Sequence, residues 1–333
     1  MYLCVLASIP DENDPPYDPS PHMRGYKWKQ HLVHPKNVEQ QIRTLMDEGI
    51  DVFVNLCDGT PDDPLSGIGL VKILEKVGAA FTGASASFFD PTRQEMKSAA
   101  RKAGVPAPAS IFADSINDAD KVMRRLHFPM LVKPPHGYAS VGLTRASRVE
   151  NAEQLKVQLE AEIKEFGRAL VEEFVEGREF TCLVAENPDD PEHPITFKPV
   201  EFIFPEGESF KHYDMKWVDY EKMSVAPVNE RRIERTLREQ TVRMFKTLSG
   251  NGYARCDYRM DASGTIYMLE INPNCGIFYH PSEPGSADFS LLNDSTFNHS
   301  KFLKLILRGA LKRQEQYRQR MREKLEEKEM VYA

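Results

Sequence analysis

The sequence predicts an α/β unit built on a doubly wound parallel sheet, followed by α+β units. Three observations predict it. The first ninety residues alternate strand and helix patterns, and the later chain sets short strands beside single helices. A chain of 333 residues is also longer than one core ordinarily serves. With 41% hydrophobic and 28% charged residues the composition is that of an ordinary soluble protein. No run approaches the ~18 apolar residues of a membrane helix. The opening "MYLCVLASIP" reads as a first strand and not as a signal peptide, which implies a cytoplasmic protein without membrane partners. A net charge of -7 argues against a nucleic-acid surface. The 5 cysteines are scattered and odd in number, as expected of core residues in a reducing compartment.

The elements follow in order. "YLCVLAS" is a strand, "KNVEQQIRTLMDEG" a helix with Val38, Ile42, Leu45 and Met46 on one face, and "IDVFVNLCDG" a strand buried on both sides. "GIGLVKILEKVG" is a helix and "AFTGAS" a short strand. Pro10 to Pro35 reads as an irregular insertion. Ligands of such sheets sit beyond the carboxyl ends of the strands, here Ala7 to Pro10 and Leu56 to Thr60. "PTRQEMKSAARKAG" is a helix stopped by Gly104. Next come helix Ala119 to Leu126, strands "PMLVKP" and "LTRAS", helix Ala152 to Phe166 and strand "ALVEEFV". Strands "REFTCLVAE" and "KPVEFIF", a long loop, helix Glu230 to Leu248, a hairpin and a final charged helix complete the chain. The expected domains are 1–90, 91–175, 176–312 and a charged helical tail over 313–333.

The hairpin "ARCDYRMDASGTIYMLEINPNCG" carries the strongest signal. With Asp261 to Gly264 as the turn, Met260 faces Thr265, Arg255 lies opposite Glu270 and Asp257 opposite Met268. Alternation then puts Arg255, Asp257, Glu270 and Asn272 on one face, with Asp257 and Glu270 as diagonal neighbours roughly 7–8 Å apart. One residue more or less in the turn would separate them. On alternation alone a solvated face of mixed charge reads equally well. Two carboxylates and an amide oxygen at a strand end are hard ligands, and Mg²⁺ takes such oxygens with water and phosphate completing its shell.

Lys133 ends an apolar strand before a loop with Gly137, Ser140 and Gly142, which suits a phosphate; a solvated lysine is the plainer alternative. Lys97 is a second candidate. In "LVEEFVEGREFTCLV", Glu172 and Glu173 precede Phe174 and Val175, which could wall an adenine, and Glu179 could accept from a ribose. A charged hairpin turn is the alternative there.

Taken in order, "VNLCDG", "AFTGAS", the helix with Lys97, "VKPPHGYASVG", "VEEFVEGREFT", "KHYDMKW" and "RCDYRM…LEINPNCG" resemble the ATP-grasp superfamily, and within it the D-alanine–D-alanine ligase family. The resemblance implies a two-lobed ATP-grasp fold after the first unit. It implies an ATP-dependent ligase joining a carboxylate to an amine through an acylphosphate. ATP and Mg²⁺ are the implied cofactors, with Mn²⁺ as the alternative cation, and a homodimer is a further expectation. Lys97 and Lys133 would bind phosphates; Glu172, Glu173, Phe174 and Val175 would border adenine; Glu179 would hold the ribose. Asp257, Glu270 and Asn272 would hold the cation, Arg255 and the Gly276 backbone would stabilise the tetrahedral intermediate, and Ser140 and Lys216 would lie near the substrates. The sequence also departs from the family. Glu12 is a loose candidate for the donor-binding glutamate, Trp217 stands where tyrosine is expected, and "IFYHPSEPG" replaces a serine-leucine segment. Phe278, Tyr279 and His280 therefore suggest an aromatic wall and a different acceptor. His212 reads as a surface residue, His280 as either surface or substrate contact, and His136 lies close to the phosphate loop. The competing functions are a small-molecule kinase that stops at phosphoryl transfer and a nucleotide-binding protein without turnover.

Overall fold

The computed structural model describes residues 1–9, 18–57, 67–135, 142–212, 215 and 222–332. Strands β1 (Tyr2–Ser8), β2 (Lys27–Val33) and β3 (Val52–Asn55) pair in parallel in the order β2-β1-β3. The apolar runs of β1 and β3 are buried on both faces, as a covered parallel sheet requires. Helices α1 (Val38–Asp47) and α2 (Ile68–Lys76) bury Val38, Ile42 and Leu45, and Leu70, Val71 and Leu74. Two expectations are corrected here. The insertion Pro10 to Pro35 is not irregular throughout, because β2 forms within it; only Val33 of that edge strand is buried, so it lacks an apolar signature. "AFTGAS" contributes one parallel bridge, Phe53 to Phe81, and no strand, since Gly83 at φ 88° turns the chain.

Helix α3 (Arg93–Ala103) starts at a capping box between Thr92 and Glu95 and ends at left-handed Gly104. A second sheet follows, with β4 (Ser110–Ala113), α4 (Ala119–Met123), β5 (Met130–Lys133), β6 (Arg148–Val149), α5 (Ala152–Phe166) and β7 (Ala169–Glu173). Its order is β4-β7-β5-β6 and every pair is antiparallel. The expected strand "LTRAS" is instead a 3-10 turn, Arg145–Ser147, closed by the Thr144 amide donating to Ser147 Oγ at 3.0 Å.

The third sheet holds β8 (Arg178–Ala185), β9 (Ile195–Thr196), β10 (Val200–Ile203), β11 (Ser224–Pro227), β12 (Tyr253–Met260) and β13 (Ile266–Pro273). The order is β11-β10-β8-β12-β13, with β9 also paired to β8. Helix α6 (Arg231–Thr247) packs on it, and α7 (Ser286–Leu292) and α8 (His299–Tyr332) follow. The early part of the charged tail is not solvated: Arg313 donates to Phe81 O at 2.7 Å, and Gln314 to Gly78 O at 2.8 Å.

The register of the β12–β13 hairpin differs from expectation twice, and the differences compensate. Asp261 Oδ1 accepts from the amides of Ser263 and Thr265, both at 2.9 Å, and this lengthens the turn so that Met260 faces Ile266. That change alone would turn Glu270 away from Asp257. A β-bulge between Asp257 and Tyr258, with Leu269 as the additional residue, reverses it. Asp257 then pairs directly with Glu270, and Arg255 with Asn272. All four lie on one face as expected, in directly opposed pairs and not diagonally.

One apolar cluster, from Ala113 to Val171, belongs to the second sheet alone. The other two mix the ends of the chain: Leu6 and Phe53 pack with Cys182 and Tyr258, and Leu3 and Val5 with Tyr253 and Phe302. The first and third sheets thus share cores, and backbone meets backbone at their seam. A Cβ on Gly252 (φ +62°) would run into the Gly83 carbonyl. Gly252→Ala is expected to lower stability by about 1–3 kcal/mol, read as an earlier urea midpoint with unchanged slope.

Candidate active site

Strand alternation and the bulge aim Arg255, Asp257, Glu270 and Asn272 into one cleft. Arg255 grips Asp257 at both oxygens, Nε to Oδ1 at 2.9 Å and Nη2 to Oδ2 at 2.8 Å. Thr181 on β8 donates to Asp257 Oδ1 at 2.6 Å. Burial raises the Asp257 carboxyl, but Arg255, with Lys211 and Thr181, outweighs it and brings the pKa down to about 2. Asn272 Nδ2 donates to Asp257 at 3.1 Å and to Glu270 at 3.3 Å. Turning that amide over would point its oxygen at the same place. These side chains fit a hard divalent cation whose remaining ligands come from phosphate and water. Among the described residues no three His, Cys, Asp or Glu side chains cluster to hold a metal unaided.

A second constellation lies on the other lobe. Glu172 on β7, buried, is ion-paired to both Lys97 of α3 and Lys133 at the end of β5. Burial raises the Glu172 carboxyl, and the two lysines overcome it to leave a pKa of about 2. Burial lowers the Lys133 ammonium, and half a shared carboxylate restores it only to about 8. The two constellations are joined by Arg93, one helical turn before Lys97, whose Nη1 lies 3.6 Å from Glu270 Oε2. Sequence reasoning missed Arg93, although its four-residue spacing from Lys97 was a usable signal.

A third group surrounds Glu179. Arg259 donates from Nη1 to Glu179 at 3.0 Å, from Nε to Val175 O at 2.6 Å and from Nη2 to Gly177 O at 2.9 Å. Lys211 Nζ lies 3.3 Å from the other Glu179 oxygen. Both cations were missed. Arg259 shares the alternation of Arg255 and Asp257, which could have revealed it; Lys211 had no local signal. Phe174 is buried between the Arg148 and Arg259 guanidiniums, at 4.5 and 4.7 Å from its ring centroid. Its ring is therefore a packed surface and not an open face. Glu173 points the other way, and its side chain accepts from His127 outside the cleft.

Past the hairpin, Asn274 Nδ2 donates to Cys57 O at 3.0 Å, which brings the carboxyl end of β3 to the site. Burial pushes the Cys275 thiol up to about 12, so it is no nucleophile. The expected aromatic wall is corrected: Phe278 is fully buried in the core and His280 is exposed and bonded to Ser282. Tyr279 remains. Its hydroxyl is 2.7 Å from where a Cβ on Gly276 would stand. Asp288, also missed, anchors this loop by accepting from the amides of Phe278 and Gly285, both at 2.9 Å. His212 is a further correction; it is fully buried and donates to Glu208 Oε2 at 3.0 Å. Glu12, His136, Ser140, Lys216 and Trp217 lie outside the described residues.

Two antiparallel lobes that face each other across paired lysines and a carboxylate-bearing hairpin define an ATP-grasp enzyme, here following a parallel-sheet unit. The model of the D-Ala–D-Ala ligase C-terminus matches residues 107–288. D-alanine–D-alanine ligase B of Chromobacterium violaceum is 30% identical over 256 residues, covering 75% of this chain and 78% of that protein. Among solved structures, the Bacillus anthracis D-alanine–D-alanine ligase complexed with ATP aligns at TM-score 0.68 and 16% identity, covering 95% of this chain and 99% of that one. The Enterococcus faecalis VanG D-Ala:D-Ser ligase aligns at TM-score 0.65 and 18% identity, with 93% and 99% coverage. The chain belongs to the D-alanine–D-alanine ligase family, ATP-dependent ligases that form a C–N bond.

Glu172→Gln is expected to cost about 3–5 kcal/mol near neutral pH, because it strands two buried ammonium groups. The folded-state carboxyl titrates at about 2 and the ordinary value is 4.5, so its contribution is complete above about pH 4.5 and is lost as pH falls through about 2. Denaturation across that window should show the gap between variant and parent closing toward low pH.

Proposed function

We propose that this enzyme joins D-alanine, as carboxylate donor, to an amine acceptor other than D-alanine. The observation that carries the ligase reading is the single face shared by Arg255, Asp257, Glu270 and Asn272, tied through Arg93 to Lys97 and Lys133. The D-alanine–D-alanine ligase of Chromobacterium violaceum supports the donor, and the D-Ala:D-Ser ligase VanG is a fold relative named for a different acceptor. Tyr279 beside Gly276 supports an acceptor shaped by an aromatic edge.

In this reading Lys97 and Lys133 turn from Glu172 to the phosphates, which bring a stronger negative charge, and Glu172 is left to border the adenine. Glu179 orients the ribose, and Val175 with the packed surface around Phe174 borders the adenine. Asp257, Glu270 and Asn272 would hold Mg²⁺, or Mn²⁺ in its place, and the cation when bound neutralises charge on the transferring phosphoryl group. The donor carboxylate attacks the γ-phosphorus and ADP leaves. The amine then attacks the acyl carbon of the acylphosphate and inorganic phosphate leaves. Arg255, held in plane by Asp257, stabilises the oxyanion formed in that second step, with the Gly276 backbone beside it. The cysteines, all free and buried, fit a cytoplasmic location.

Phosphate release from ATP and Mg²⁺ should require D-alanine together with an amine, and mass spectrometry should find a product lighter than their sum by one water. Release with one acid alone, yielding its stable phosphate, would establish a kinase instead. Asp257→Asn and Glu270→Gln should each weaken Mg²⁺ dependence by more than the roughly 10–100-fold that loss of an outer partner costs. Unchanged Mg²⁺ titration curves would overturn the cation assignment.

A further inference from the structure

The insertion between β1 and β2 reaches the loop that follows the β12–β13 hairpin. His22 ends a 3-10 turn, Ser20–His22, and its Nε2 donates to Tyr279 O at 2.8 Å. Met23 and Phe278, which adjoin these two residues, are fully buried in one apolar cluster with Phe302. The insertion and the loop are thus pinned side by side where His22 and Tyr279 meet. Against the His22 ring lies that of His299, the first residue of α8, at 4.4 Å between centroids. His299 Nε2 donates to Asp288 Oδ1 at 2.8 Å, and Asp288 Oδ2 accepts from Tyr279 N at 3.4 Å. The Tyr279 backbone is therefore held at its N–H by Asp288 and at its carbonyl by His22. The two holders brace each other through His299.

The ring so placed lies across two glycines. A Cβ on Gly276 would come within 2.7 Å of the Tyr279 hydroxyl, and one on Gly285 within 2.7 Å of its Cδ2. Phe278 takes φ 64°, a left-handed value that a bulky side chain adopts only where its surroundings enforce it. Burial lowers the His22 imidazole, the Tyr279 carbonyl raises it and His299 lowers it, and the net direction is down. Near neutral pH the ring is uncharged and carries one N–H, which is committed to Tyr279. In the acceptor reading above, on which this inference rests, the edge of Tyr279 beside Gly276 shapes the acceptor. We propose that His22 is a positioning residue for Tyr279, through which the insertion in the first unit sets how tightly the acceptor binds.

The test uses the full chain, His22→Ala and His22→Gln, with two readouts. The first is the fluorine NMR spectrum of protein carrying 3-fluorotyrosine at its 12 tyrosines, with Tyr279→Phe identifying the Tyr279 resonance. His22→Ala should shift or broaden that resonance, and His22→Gln, whose amide can still donate to Tyr279 O, should keep it nearer the parent position. The second is phosphate release with Mg²⁺-ATP, D-alanine and the best amine from a panel of D- and L-amino acids. His22→Ala should raise the KM of that amine about fivefold, the scale of one neutral hydrogen bond, and His22→Gln should raise it less. The KM values of ATP and D-alanine should stay within about twofold, which a general loosening of the fold would not allow. An unmoved resonance in His22→Ala, an unchanged acceptor KM, or an equal rise in all three KM values would overturn the proposal. If the resonance moves but the parent turns over no amine of the panel, the acceptor reading fails. The link from His22 to the acceptor then fails with it, and the hold on Tyr279 stands.

Discussion

Buried charge is the constraint on which the site depends. Moving an ion out of water costs several kcal/mol, and only close counter-ions offset it. Glu172 has Lys97 and Lys133, Glu179 has Arg259 and Lys211, Asp257 has Arg255, and Glu270 has Arg93. Cations outnumber carboxylates in this set. The cleft is thus assembled to receive further negative charge, and each carboxylate meanwhile does for its lysine or arginine what a phosphate does later.

Meeting that constraint dictates where the elements must run. α3 has to deliver Arg93 to one lobe and Lys97 to the other from a single face. β5 must end at Lys133, and β8 and β12 must lie side by side so that Glu179, Thr181, Asp257 and Arg259 share a row. The second sheet keeps a core of its own and touches the third through polar contacts, such as Arg148 Nη1 donating to Ser209 Oγ at 2.8 Å. The first and third sheets, sharing cores, form the firmer frame. An independent lobe against a fixed frame is the arrangement that hinge closure around a ligand uses.

Much of this was legible in the sequence, for identifiable reasons. α1, α3, α5 and α6 announced themselves through apolar period and caps, and Lys133, Glu172, Glu179, Arg255, Asp257, Glu270 and Asn272 stood at strand ends or on one alternating face. The edge strand β2 was hidden because it buries little. Arg93 and Lys211 were hidden because their partners, Glu270 and Glu179, are distant in sequence. Glu173 and Phe278 were misplaced for a common reason: in "EEF" and "IFY" residue type was visible and side-chain direction was not. His212 looked like a loop histidine because nothing local shows that Glu208 and Phe210 enclose it.

The β12–β13 hairpin imposes an arithmetic of its own. Its five-residue turn and its bulge each reverse the facing of everything beyond them, and together they leave Glu270 and Asn272 beside Asp257 and Arg255. Insertions or deletions between Met260 and Glu270 are therefore governed by parity. A change of one residue inverts the ligand set, while a change of two preserves it. Homologous chains should differ in hairpin length here by even steps, or by single steps matched with a bulge gained or lost. An alignment that places a lone gap in this hairpin would be joining residues that face opposite sides of the sheet.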